Sequence, residues 1–105
     1  MAADWAKIDV GFLRHPQVVQ LKIHEQVGYL AMILYAQEYE TDGMVPSAAL
    51  KTCGVTDKDV SAMERAGLVI RDDDVWLIDG FTRKQATKAE LDKRRDAARQ
   101  RRRRD

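Results

Sequence analysis

The sequence predicts a mainly α-helical α+β domain followed by a basic helical tail. Three observations predict it. A long apolar stretch at helical spacing runs through "HEQVGYLAMILYAQEYE". Two short β-prone runs flank three aspartates in "LVIRDDDVWLID", as in a hairpin. From Thr82 onward the chain has one large apolar residue, Leu91, and it ends in a block that reads R-Q-R-R-R-R from Arg99 to Arg104. The expected division is therefore a domain over residues 1–82 and a basic helical tail over residues 83–105. A body of roughly 80 residues is enough for a small core, though only marginally.

Charge follows the same division. Residues 1–82 carry 7 Lys/Arg against 13 Asp/Glu, a net of −6. Residues 83–105 carry 11 against 4, a net of +7. An overall charge of +1 hides a dipolar molecule, so each half needs its own account. Hydrophobic content of 45% favours a folded body. Cys53 is the only cysteine, which excludes an internal disulfide and a cysteine-rich zinc site. The start "MAADWAKID" lacks the basic and apolar regions of a signal peptide, and no apolar run is long enough for a membrane span. The expected location is the cytoplasm.

The elements are expected in the following order. Trp5, Ile8, Val10 and Phe12 suit a short extended stretch with one buried face. Pro16 suits the first turn of a short helix in "PQVVQLKI". The long helix follows, with Val27, Leu30, Ala31 and Leu34 on one face and Tyr29, Met32, Ile33 and Tyr35 around the rest. Asp42-Gly43 reads as a turn, and Met44-Val45 as a short strand. Ser47 is expected to cap a short helix ending near Gly54. Thr56 and Asp59 have capping-box spacing, Val60, Met63 and Leu68 point inward, and Gly67 closes the helix. Leu68 to Arg71 and Val75 to Ile78 form the hairpin. A last helix starts near Lys88, with Thr87 and Glu90 as its capping box, and frays through the arginines. That order is the order of a winged helix-turn-helix, with the hairpin as wing and Thr56–Ala66 as the recognition helix.

Three segments carry a resemblance: "WAKIDVGFLRHPQV", "TDGMVP" and "AGLVIRDDDVWLID". Together they resemble the N-terminal winged-helix domain of phage replisome organisers. The similarity extends to short versions from phages of actinobacteria, commonly labelled helix-turn-helix DNA-binding proteins. Trp5, Phe12, Gly67, Leu68, Trp76 and Ile78 occupy that group's Trp-hydrophobic-Phe start and its GL…W-x-I hairpin. The resemblance implies double-stranded DNA binding in phage replication initiation or transcription regulation. The matching positions are mainly core and turn residues, and function lives in the surface site.

The recognition-helix candidate is a modest reader. Lys58, Ser61 and Arg65 are its expected base- or phosphate-contacting residues, beside Asp57 and Glu64 on the outward face. The whole Thr56–Ala66 segment has a net charge of −1. The wing carries Asp72, Asp73 and Asp74, where phosphate contact would call for cations. Metal capture by Asp72, Asp74 and Asp79 is disfavoured because the glycine and distal glutamate of a calcium loop are missing, so no metal is expected. The tail supplies the main phosphate contacts: Arg94, Arg95, Arg99, Arg101, Arg102, Arg103 and Arg104. The alternative function is a protein-interaction module, in which the acidic surface binds a host replication or transcription protein. The tail has two further uses: RNA binding by an arginine-rich helix, or docking on the acidic body of its own or a second copy, giving a latch or a homodimer.

Other residues point to structure. His15 and His24 share no metal-ligand spacing; one is expected to cap or pack at a helix start and the other to be exposed. Trp5 and Trp76 are expected in the core, Cys53 as a small buried hydrophobe, and Tyr29, Tyr35 and Tyr39 in the core or a partner-facing groove. The sequence has no glycine-rich phosphate loop and no nucleophile–base set. The expectation is a non-enzyme without a cofactor.

Overall fold

The computed structural model describes residues 4–85 and 87–104, without the side chains of Thr82, Lys84 and residues 102–104. Its helices are α1 (Pro16–Val19), α2 (Ile23–Glu38), α3 (Asp57–Arg65), α4 (Phe81–Lys84) and α5 (Lys88–Arg104). Its strands are β1 (Met44–Pro46), β2 (Val69–Asp72) and β3 (Val75–Ile78). They form an antiparallel sheet in the order β1-β3-β2. Val45 pairs with Trp76, and Val69 with Ile78. The result is a small α+β fold in which α2 and α3 pack together and the sheet closes one side.

Most elements form where their local chemistry directs. Pro16 opens α1, and His15 Nδ1 accepts from the Gln17 N–H at 3.2 Å. The Thr56 hydroxyl accepts from the Asp59 N–H, and the Asp59 carboxylate accepts from the Thr56 N–H at 3.0 Å, the reciprocal box that starts α3. Gly67 follows α3 in the left-handed region, φ +79°, and the Leu68 N–H reaches back to the Met63 carbonyl. Asp73, φ +55°, turns the hairpin with Asp74. At the start of α5, Thr87 and Glu90 make the expected reciprocal contacts. Met32, Met63 and Val45 have no exposed surface, and Trp76 and Phe81 close the core beside them.

Four local expectations are corrected. The N-terminal stretch is irregular and not a strand, with Trp5 76% exposed and Val10 fully exposed. It is held through its backbone: Lys7 donates to and accepts from the buried side-chain amide of Gln85. The buried face of α2 is Gly28, Tyr29, Met32, Ile33 and Ala36, while Val27 is 60% and Leu34 46% exposed. An all-round apolar helix has no periodic signal to choose its inward face, so the neighbours choose it. Ser47 does not cap a helix; Ser47–Ala49 is a single 3-10 turn whose first residue is Ser47. The short helix α4, absent from the sequence reading, carries Phe81 into the core.

Among the described residues no helix is long and apolar enough to cross a membrane.

At Gly43 the backbone passes close to Phe81. The Gly43 φ is +91°, and a Cβ there would lie 2.7 Å from the Cβ of Phe81. Gly43→Ala is expected to cost about 1–3 kcal/mol, combining backbone strain and overpacking. Val27→Gln is expected to stay within about 0.5 kcal/mol, as at other surface positions. Urea unfolding of the two variants checks both; a severe loss for Val27→Gln contradicts the observed orientation of α2.

Candidate nucleic-acid interface

Helix α3 presents the residues that the sequence singled out. Lys58 and Arg65 are exposed and Ser61 is half-buried. With Lys22, Glu25 and Asp57 they line an open groove of about 430 Å³ beside the start of α2. The spacing Lys58, Ser61, Arg65 runs along one helix face, so all three are available to one ligand. Lys22 was not foreseen. It precedes α2 in sequence and joins the groove only because α2 and α3 pack with their first turns together. No signal in the sequence gives that juxtaposition.

The acidic residues nearby are mostly occupied. Asp59 is buried: one oxygen accepts from the Thr56 N–H, and the other lies 3.1 Å from His24 Nε2. Glu25 is also buried and accepts from the Lys22 N–H at 2.8 Å. These two carboxylates satisfy helix-start donors that would otherwise lack partners. His24, Glu25 and Asp59 are the one grouping among the described residues close enough to share a metal ion. Their existing hydrogen bonds account for the cluster without a metal. Asp72, Asp74 and Asp79 are exposed and form no such grouping. The groove's uncommitted acid is therefore Asp57, facing three cations: Lys22, Lys58 and Arg65.

The hairpin keeps its acidic character. Asp72, Asp73 and Asp74 are all exposed, and Arg71 lies over the Trp76 ring at 5.6 Å. Trp76 is buried as expected, whereas Trp5 is not. His15 caps α1, and the exposed His24 pairs with Asp59. Cys53 is half-buried against the core, and burial pushes its thiol up. Tyr29 is buried, Tyr35 half-buried, and Tyr39 exposed.

Helix α5 is about 25 Å long at 1.5 Å per residue. It accounts for a radius of gyration of 15.3 Å, against about 13 Å for a compact chain of this length. It is fastened near its start. The Lys88 N–H donates to Asp42 Oδ1 at 2.7 Å, and the Arg95 guanidinium donates to both oxygens of Glu40. Arg95 also donates to Asp92 at 2.7 Å. The bonds to Glu40, then the charges of Glu40 and Asp92, raise the Arg95 pKa further above its already high value. Arg99 pairs with Asp96 within the helix. Arg94 and Arg101 are exposed. Arg102, Arg103 and Arg104 belong to α5 by backbone, and their side chains lie outside the described residues. Of the tail arginines, Arg95 is thus a fastening, with Arg94 and Arg101 more accessible to a phosphate.

Glu40 pays for that fastening with its backbone. It sits just past the end of α2 at φ +55°, where glycine is the usual residue.

No family model, curated protein or solved structure matches this chain.

Two predictions arise from these contacts. The Thr56 N–H chiefly, with help from the Thr56 hydroxyl and His24, holds the Asp59 carboxyl below its usual range against the opposing effect of burial. Its contribution to stability is fully present above the unfolded-state pKa of about 3.9 and is lost as pH falls through the lowered folded value. Urea midpoints should therefore drop on acidification below about pH 4, and Asp59→Asn should flatten that part of the profile. Glu40→Gly should relieve about 1–2 kcal/mol of left-handed strain while loosening α5. Amide exchange should speed up over residues 88–95 with no loss in the body; unchanged protection there would show that Glu40 does not hold the helix.

Proposed function

We propose that the chain is a winged-helix protein that binds double-stranded DNA, with α3 in the reading position and α5 as a basic arm. The observation that carries this reading is the groove itself: Lys58, Ser61 and Arg65 converge with Lys22, while Glu25 and Asp59 are turned to backbone donors. The element order supports it. A long helix, a short strand, a turn, α3 and a two-stranded hairpin in strand order β1-β3-β2 are compatible with a winged domain, although the expected N-terminal strand and the short helix before α3 are missing from the described residues. The resemblance to phage replisome organisers extends the proposal to replication initiation or transcription regulation in a phage. No chemical step is assigned; the protein acts by binding.

In this mechanism α5 supplies most of the affinity, through phosphate contacts from Arg94 and Arg101 to Arg104, with Arg99 joining if its pair with Asp96 opens. About five such contacts give a log–log salt slope near −4 to −5. Lys58, Ser61 and Arg65 supply base preference, and Lys22 positions the groove on the backbone. The acidic hairpin tip faces away from the phosphates. A second reading is favoured by that tip: three exposed aspartates at a hairpin turn suit a basic protein partner, a host replication or transcription protein.

The test is binding of the full chain to phage genomic fragments against random DNA and RNA, across a salt series. Changing Arg101, Arg102, Arg103 and Arg104 to Gln together should lower the slope by about 3–4 units and weaken all DNA alike. Changing Lys58 and Arg65 to Gln should instead erase preference for one fragment. A preference that survives the α3 changes, or an absence of DNA binding, would overturn the reading and favour the protein-partner one.

A further inference from the structure

An aliphatic stripe of α2 that periodicity alone would assign to the core lies outside it. Ile23, Val27 and Leu34 are 80%, 60% and 46% exposed, and Leu30 between them is half-buried. The steps along the stripe are four, three and four residues, the seam spacing at which two helices interlock. It runs about 16 Å along the helix at 1.5 Å per residue. It also lies across the cylinder from Gly28, which packs against Met63 of α3.

Among the described residues, no part of the chain covers the stripe. Helix α5 is fastened elsewhere, at Glu40 and Asp42, and has one large apolar residue, Leu91. Contiguous exposed apolar surface of this kind marks a site of protein contact.

We propose that two copies of this chain associate as an antiparallel pair through Ile23, Val27, Leu30 and Leu34. The spacing makes the stripe complementary to itself about a two-fold axis: Ile23 meets Leu34 of the second copy, and Val27 meets its Leu30. Charge selects the orientation. The exposed Lys22 stands at the start of the stripe and the exposed Glu38 at its end. Antiparallel pairing sets each cationic end against an acidic one and opposes the two helix dipoles, whereas a parallel pair sets like against like. Area sets the strength. A contact along one stripe of α2 is at the small end of specific interfaces, under about 800 Å² per partner, so the dissociation constant is on the order of tens of micromolar. In dilute unfolding experiments the chain is therefore a monomer. The contact uses the side of α2 turned away from α3, so the inference does not rest on the DNA-binding reading.

The experiment is sedimentation of the full chain over a concentration series. The mass should rise from 12.0 kDa at about 1 μM towards twice that value at about 300 μM. Val27→Glu and Leu34→Glu, each present twice at a two-fold contact, should each weaken association at least tenfold with an unchanged circular dichroism spectrum. Ile70→Glu, 54% exposed on β2 and away from the stripe, should leave association as it was. A nitroxide attached through Glu38→Cys, with Cys53→Ala, should report a separation between copies of about 28 Å or more. The proposal is overturned if the mass stays at 12.0 kDa throughout, if Val27→Glu and Leu34→Glu associate like the unaltered chain, if Ile70→Glu weakens association as much as they do, or if the labels lie within about 20 Å, as a parallel pair requires. The first of these outcomes would leave the stripe to a different protein.

Discussion

Helix α3 and the Val55 turn before it come so close to α2 at Gly28 that a larger residue there would make its neighbours give way. A Cβ on that residue would lie 3.0 Å from a methyl of Val55 and 3.3 Å from the Met63 terminal carbon. This approach fixes the rotation of α2, which turns Tyr29, Met32, Ile33 and Ala36 inward and leaves Val27 and Leu34 to solvent. It also fixes α3, since burying Val60 and Met63 directs Lys58, Ser61 and Arg65 outward. The first turns of both helices are brought side by side, and the groove is the consequence.

The same packing reassigns charge. Counted along the chain, the α3 segment is acidic. In the fold, Asp59 and Glu25 are buried acceptors for helix-start N–H groups, which is where a carboxylate is most useful and least visible to a partner. What remains outward around the groove is cationic by excess. Burial keeps both carboxylates from direct contact with a partner, so an acidic domain can present cationic side chains at the groove's surface.

The tail is joined to the body at specific atoms. Glu40 and Asp42, both in left-handed backbone conformations after α2, hold Arg95 and the start of α5. Their carboxylates account for part of the net negative charge of the body. The attachment gives the arginine block a defined point of departure, which lowers the ordering cost of any contact the tail makes. It also uses one arginine, so charge count overstates the number available for phosphates.

Local signals were legible in the sequence. Thr56 with Asp59, Thr87 with Glu90, Pro16 and Gly67 set helix ends through contacts within a few residues, and the hairpin followed from two β-prone runs around aspartates. Lys58, Ser61 and Arg65 were identifiable as one outward face because helical periodicity alone relates them. The rest required tertiary structure. The inward face of α2 was hidden because the helix is apolar all round, and Trp5 stayed outside because its segment is held by backbone bonds to Gln85 and not by burial. The groove at Lys22 and the Glu40–Arg95 clasp each join residues far apart in the chain. Sequence by itself determined where α1, α3 and α5 begin and which α3 residues share a face, because those depend on neighbours one turn away. Only the packed structure decided which charges are spent, which remain outward, and which apolar stripe of α2 stays outside, because those depend on what lies across the core.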